Sequence, residues 1–151
     1  MGSTKSTNGM EKSKGNRKKH KKVAMIGHKR IPSREGGVEI VVDELSTRLA
    51  AQGYQVDAYN RSGYHVSGKE YDEKRGKSYR GVRLITIPTF QNKKLNAIVY
   101  SFLATVRALF GRYDVIHYHA EGPCVMLWIP KLFGVRVIAT IHGLDWQRSK
   151  W

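Results

Sequence analysis

The stretch "VAMIGHKRIPSREGGVEIVVDELSTRLAAQGYQVDAYN", residues 23–60, decides the fold. Its first six residues, Val23 to His28, are a short apolar run ending in Gly and His, the pattern of a strand buried on both faces. A loop with Pro32 and the pair Gly36-Gly37 follows. From Val38 the spacing changes. Val38, Val41, Val42, Leu45 and Leu49 fall at i, i+3, i+4, i+7 and i+11, one stripe of a helix. Glu39, Asp43, Glu44 and Arg48 lie largely off that stripe, and the acids sit near the electropositive helix start. Gly53 marks the helix stop. "YQVDAYN", Tyr54 to Asn60, is a second apolar strand. Strand, helix, strand in 38 residues is the unit that builds a parallel sheet.

The remaining sequence repeats the alternation. Arg61 to Gly81 reads as a long polar loop with a small hairpin around "EKRGKS". "VRLITIP", Val82 to Pro88, is a third strand closed by proline. A helix is expected from about Lys94 to Phe110, with Leu95, Ile98, Val99, Phe102, Leu103, Val106 and Leu109 facing the core. "DVIHYH", Asp114 to His119, is a fourth strand. A short apolar helix over residues 123–133 leads to "VRVIATIH", Val135 to His142, the fifth. The fold class is therefore α/β, a Rossmann-like, doubly wound, mostly parallel sheet, and right-handed crossovers give the strand order 3-2-1-4-5.

Bulk properties agree with this and narrow the chemistry. One domain suits 151 residues, and a single cysteine, Cys124, excludes an intrachain disulfide. The net charge is +15, divided unevenly. Residues 1–22 hold eight Lys/Arg and one acid (+7), and residues 23–151 hold nineteen and eleven (+8). The first 22 residues are expected to be a disordered basic tail, without the apolar core of a signal peptide. The tail is either a solvated arm or a contact for anionic lipid or nucleic acid. Nucleic-acid binding is disfavoured because no aromatic RNA-binding motif accompanies the charge.

In an open parallel sheet, ligands bind beyond the carboxyl ends of the strands. Three turns converge there: Gly36-Gly37, "HYHAEGP" and "IHGLDW". Gly36 and Gly37 at a helix entrance expose backbone N–H groups where the helix dipole favours a phosphate. The alternative is a simple turn and cap. Neither G-x-G-x-x-G nor G-x-x-x-x-G-K-[ST] is present, which disfavours nicotinamide-nucleotide dehydrogenases and P-loop ATPases. Strand alternation puts His117 and His119 on one side of the sheet and Tyr118 on the other. His117 reads as a packed core histidine. His119 lies nearer the cleft, and His142 takes the equivalent place on the fifth strand, where it could donate to a sugar hydroxyl or a phosphate. Glu121 and Asp145 are the carboxylates nearest the same edge, able to orient a hydroxyl or act as a base. Histidines without a matching carboxylate or thiol spacing give no metal site. The helix near Lys93 to Phe110 has a second reading, partial membrane contact through Lys93, Lys94, Arg107 and Arg112 beside exposed Phe or Leu.

Taken in order, "KVAMIGHKRIPSREGGVEIVVDELSTRLAAQGYQVDAYNR", "YDVIHYHAEGP" and "VIATIHGLDWQRSKW" resemble the group 1 (family 4) glycosyltransferases, nearest to their rhamnosyltransferase-like branch. The resemblance covers essentially Lys22 to Trp151. It implies a GT-B architecture of two Rossmann-like domains and metal-independent, retaining transfer from a nucleoside-diphosphate sugar, with no cofactor. It also implies that Gly36 and Gly37 approach the donor diphosphate, with Glu39 starting the helix behind them. His142 would face the donor sugar as a catalytic residue with Asp145, and His119 and Glu121 would line the acceptor side. The acceptor expected is a glycan or lipid-linked molecule of cell-surface polysaccharide synthesis. The location expected is cytoplasmic, with a peripheral position at the inner face of the plasma membrane as the alternative. The C-terminal domain that holds the nucleotide in such enzymes has no counterpart in these 151 residues, so the isolated chain is expected to be inactive. A non-enzymatic binding or partner module with a basic arm is the competing expectation.

Overall fold

The computed structural model describes residues 21–34, 36–62, 77–89 and 93–142. The elements in chain order are β1 (Lys22–Ile26), α1 (Gly37–Ala51), β2 (Gln55–Arg61), β3 (Ser78–Tyr79), β4 (Val82–Ile87), α2 (Lys93–Phe110), β5 (Val115–His119), α3 (Glu121–Cys124), α4 (Trp128–Leu132) and β6 (Arg136–Thr140). The sheet order is β3-β4-β2-β1-β5-β6. All pairings are parallel except β3 with β4. Without the two-residue β3, this is the doubly wound order expected from the sequence. Lys22, assigned to the basic tail, belongs instead to β1, where it pairs in register with Gln55.

Each sheet face has its own core. Val23, Met25, Val56, Ala58 and Val82 form the face under α1, closed by Val42. Ala24, Ile26, Tyr59, Ile116 and Tyr118 form the other, closed by Tyr100, Ala104 and Ala108 of α2. The central strands contribute apolar residues to both sides, which is why they lack a polar alternation.

Four local readings change. The hairpin lies just beyond "EKRGKS": β3 and β4 join through Arg80 and Gly81, both at positive φ (45° and 83°). A two-residue turn of that hand matches the twist of the flanking strands. The single helix expected over 123–133 is two short helices, α3 and α4. In α1, Val41 is exposed, while Glu39 and Asp43, placed off the apolar stripe, are buried. The helix is rolled so that Glu39 reaches the loop after β1, where its Oε1 accepts the Lys29 N–H at 3.0 Å.

The fourth change is the largest. In α2 the sheet-facing residues are Tyr100, Ser101, Ala104, Thr105 and Ala108, whereas Ile98, Phe102 and Leu103 point outward. Small residues let the helix approach the sheet closely. The two tyrosines of this interface satisfy their hydroxyls within it: Tyr100 OH donates to Tyr59 O, and Tyr118 OH pairs with Thr105 Oγ1 at 2.9 Å. A count of apolar residues picks the wrong face when the buried one is made of alanine and satisfied hydroxyls.

Candidate functional site

The carboxyl ends of β1, β2 and β5 bring a set of polar side chains into the interior. Gly27, the residue after β1, has φ 120° and lies directly against the main chain of His119; a Cβ built there would sit 1.8 Å from the His119 carbonyl oxygen. The contact requires glycine for both its conformation and its lack of a side chain. It sets His28 and His119 side by side at the rim.

His28 is fully buried, and its Nε2 is 3.0 Å from Asn60 Oδ1. The Asn60 amide is oriented by Ile31: Nδ2 donates to Ile31 O at 2.9 Å, and Oδ1 accepts the Ile31 N–H at 3.1 Å. Oδ1 is therefore an acceptor, so His28 Nε2 carries the proton and Nδ1 keeps its lone pair. Burial lowers the His28 pKa to about 4, although the Asn60 bond and the nearby Glu39 carboxylate favour its charged form.

His119 is also fully buried. Its pKa falls to about 2, first by burial and then by the neighbouring His117, His28 and His142. Its Nδ1 lies 3.1 Å from His142 Nε2, and the two rings stack with centroids 5.4 Å apart. One ring must be the donor and the other the acceptor. His117 stacks on His119 at 4.1 Å and bonds Thr140 Oγ1 through Nε2 at 2.7 Å, the packed role expected of it.

On the α2 side of the same rim, Arg61 lies over the Tyr100 ring at 4.6 Å and donates from Nη2 to Gly27 O at 3.3 Å. Burial lowers its pKa from the usual arginine value. Arg61 Nε, His28 Nδ1 and His119 Nε2 are three of the four buried side-chain polar atoms without a hydrogen-bond partner among the described residues; the other is Ser46 Oγ. Buried polar groups are almost always paired, so unpaired ones concentrated at one rim mark a place built for something other than stability.

The residues singled out in the sequence meet here in part. Gly36 caps α1 and Gly37 opens it. The helix is tied through Glu39 to Lys29, the residue after His28, so the two glycines share the rim with the histidines. Beside Gly37 a Cβ would meet nothing within 4 Å, whereas at Gly36 it would meet the Glu39 carboxylate at 2.2 Å. Gly37 is thus the open position and Gly36 the packed one. His142 is near His119 but not in its equivalent place: β6 ends at Thr140, which is in register with His119, and His142 lies two residues further. Glu121 opens α3 at the same rim, yet α3 packs with α2, on the face away from the His119 ring. Asp145 lies outside the described residues. Among the described residues, no three His, Cys, Asp or Glu side chains are grouped to share a metal ion.

Comparison with known proteins now bears on this arrangement. Residues 35–151 match Glycosyltransferase Family 4. The chain belongs to that family. No curated protein matches it. Sequence reasoning missed His28, Asn60 and Arg61 at this site. The signal was available, since all three lie at or just beyond a strand's carboxyl end, like His119.

Proposed function

We propose that this domain is the N-terminal half of a GT-B, retaining glycosyltransferase of the rhamnosyltransferase-like branch. It works from a nucleoside-diphosphate sugar, without metal or cofactor, on a glycan or lipid-linked acceptor of cell-surface polysaccharide synthesis, at the inner face of the plasma membrane. A second Rossmann-like domain supplies the nucleotide contacts in this reading, and the chain alone transfers no sugar. The observation that carries it is the open Gly37 position at the start of α1, on the same rim as the hydrogen-bonded His119–His142 pair. Transfer breaks the bond between the sugar's anomeric carbon and the diphosphate oxygen, and that oxygen keeps the electron pair. The acceptor hydroxyl forms the new bond and gives up its proton to the departing diphosphate oxygen. The α1 amides offset the charge that develops on the diphosphate. His142 holds a sugar or acceptor hydroxyl, and Asp145 orients the acceptor. Arg61 adds a positive charge at the rim.

Two-dimensional amide NMR of the chain, titrated with UDP-, GDP- and dTDP-sugars, tests the reading. Joint shifts at Gly36, Gly37 and His142 with one of these donors are expected. Shifts confined to residues 1–20, or none, would discard it and favour the binding-module alternative. Adding a nucleotide-binding domain in trans should then restore transfer; continued inactivity with an intact complex would count against the enzyme assignment.

A further inference from the structure

Beside β4, the last turns of α2 border a groove of about 600 Å3, within the size range of small-molecule sites. Leu84 and Ile85 of β4 and Phe110 of α2 supply its apolar surface. Phe110 is 84% exposed, a ring that the core does not use. Tyr59 and Tyr113 also line the groove but are buried. Their hydroxyls bond each other at 3.0 Å, and Tyr113 donates onward to Asp57. Both tyrosines therefore offer ring surface and no free donor.

The charged lining says what the groove can hold. Lys77, Arg83 and Arg107 face it. Arg83 is committed to Asp57, to which its Nε donates at 2.9 Å. Lys77 and Arg107 are exposed, and neither has an ion-pair partner among the described residues. Among those residues, no acidic side chain lines the groove. Lys77 is held beside β4, since its carbonyl accepts the Leu84 N–H at 2.8 Å. Arg107 comes from the last turn of α2. Burial raises the Tyr59 pKa, and the Tyr113 bond, Arg107 and Arg83 oppose that rise, so both guanidinium groups lie within electrostatic reach of the Tyr59 hydroxyl.

Two unpaired cations at one cavity match a dianion. A phosphate monoester carries about −1.5 to −2 near neutral pH, whereas a carboxylate carries a single charge. Phe110 and the aliphatic side chains beside it suit a flat aromatic body, and every nucleobase has a π face to stack. A second copy of the chain is a poor occupant, because its net charge of +15 would oppose these cations.

We propose that the groove between β4 and the end of α2 is a second ligand site, taking a nucleoside monophosphate with its phosphate between Lys77 and Arg107 and its base against Phe110 and Ile85. The site goes beyond the sugar-transfer reading. Arg83 near the start of β4, and Gly111 and Tyr113 just before β5, put it towards the amino edge of the sheet, whereas Gly37 and His142 are at the carboxyl rim.

Methyl and amide NMR of the full chain, titrated with AMP, adenosine and inorganic phosphate, tests the site. AMP should move the Leu84 and Ile85 methyl signals and the Gly111 amide together, while adenosine and phosphate should each bind at least about tenfold more weakly. Lys77→Gln with Arg107→Gln should weaken AMP at least about tenfold. Phe110→Ala should weaken it by about tenfold through lost stacking. All three side chains are exposed, so the thermal midpoint should not move. Absence of AMP shifts at Leu84 and Ile85 would overturn the proposal. Inorganic phosphate binding as well as AMP would reduce the groove to an anion contact and overturn it too. Tighter binding of a single-stranded oligonucleotide than of AMP would overturn it in favour of nucleic acid. Donor binding is read from Gly37 and His142, so either site can fail while the other stands.

Discussion

The two ends of the sheet carry polar clusters that look alike in composition and differ in completeness. Towards the amino edge, Asp57 is buried among Arg83, Tyr113 and Lys22. Its carboxylate accepts Arg83 Nε at 2.9 Å, a second Arg83 N–H and the Tyr113 hydroxyl, and Lys22 Nζ stands 3.8 Å away. Tyr59 and Tyr113 share a hydroxyl contact at 3.0 Å. Burial and the bond to Asp57 push the Tyr113 pKa well above the usual phenol range. At the carboxyl rim, His28, His119 and Arg61 each keep a buried nitrogen without a partner among the described residues. A closed network holds strands together, whereas one with open valences is available to a ligand.

The contrast is broken most forcefully at Asp57. Asp57→Ala leaves the Tyr113 hydroxyl and Arg83 without their acceptor, and should cost about 2–4 kcal/mol in urea unfolding. Sugar-nucleotide shifts at Gly37 should survive in the folded fraction. A loss under about 1 kcal/mol would show that the closed cluster is not structural.

Acid should act on the other end. The folded pKa values of His28 and His119, about 4 and about 2, lie below the ordinary 6.5, so the native state binds fewer protons than the unfolded chain. Stability is therefore complete above about pH 7 and falls as pH drops through 6.5. The loss is about 1.4 kcal/mol per pH unit for each histidine, ending near its folded pKa. His28→Gln should flatten the slope between pH 6.5 and 4; an unchanged slope would show that His28 is not held neutral.

His119→Leu removes an imidazole that already has one open nitrogen. At pH 7.5 it should change stability by less than about 1 kcal/mol, in either direction, because no closed network is cut. Donor-induced shifts at His142 should nonetheless disappear. Destabilisation as large as that of Asp57→Ala would erase the distinction between the two ends.

The smallest stability effect is expected at Gly37. A side chain there enters open space, so Gly37→Val should stay within about 0.5 kcal/mol of the parent. Donor affinity should fall at least about tenfold if the diphosphate approaches that amide. Unchanged affinity in the folded variant would remove Gly37 from the donor site.

Much of this was legible in the sequence, and the reasons differ by element. Strand order followed from continuous apolar runs such as "VAMI" and "VIHY", because burial on both faces leaves no alternation to misread. The pairing of His117 with His119, opposite Tyr118, followed from strand alternation. The roll of α1 and α2 did not, since Glu39 is buried for a hydrogen bond and Tyr100 for its hydroxyl, neither of which hydrophobicity counts. Strand-end position marks His28 and Asn60 each as a rim residue, but their hydrogen bond spans 32 residues and so cannot be read from either segment alone.

Gly27 has a consequence for how such a site can change over time. The floor of the rim is peptide backbone, with one strand's turn pressed on its neighbour's carbonyl. Even a methyl group at that point would have to part the strands. Variation at the rim must therefore arise in the residues after each strand, above a backbone contact that tolerates no side chain.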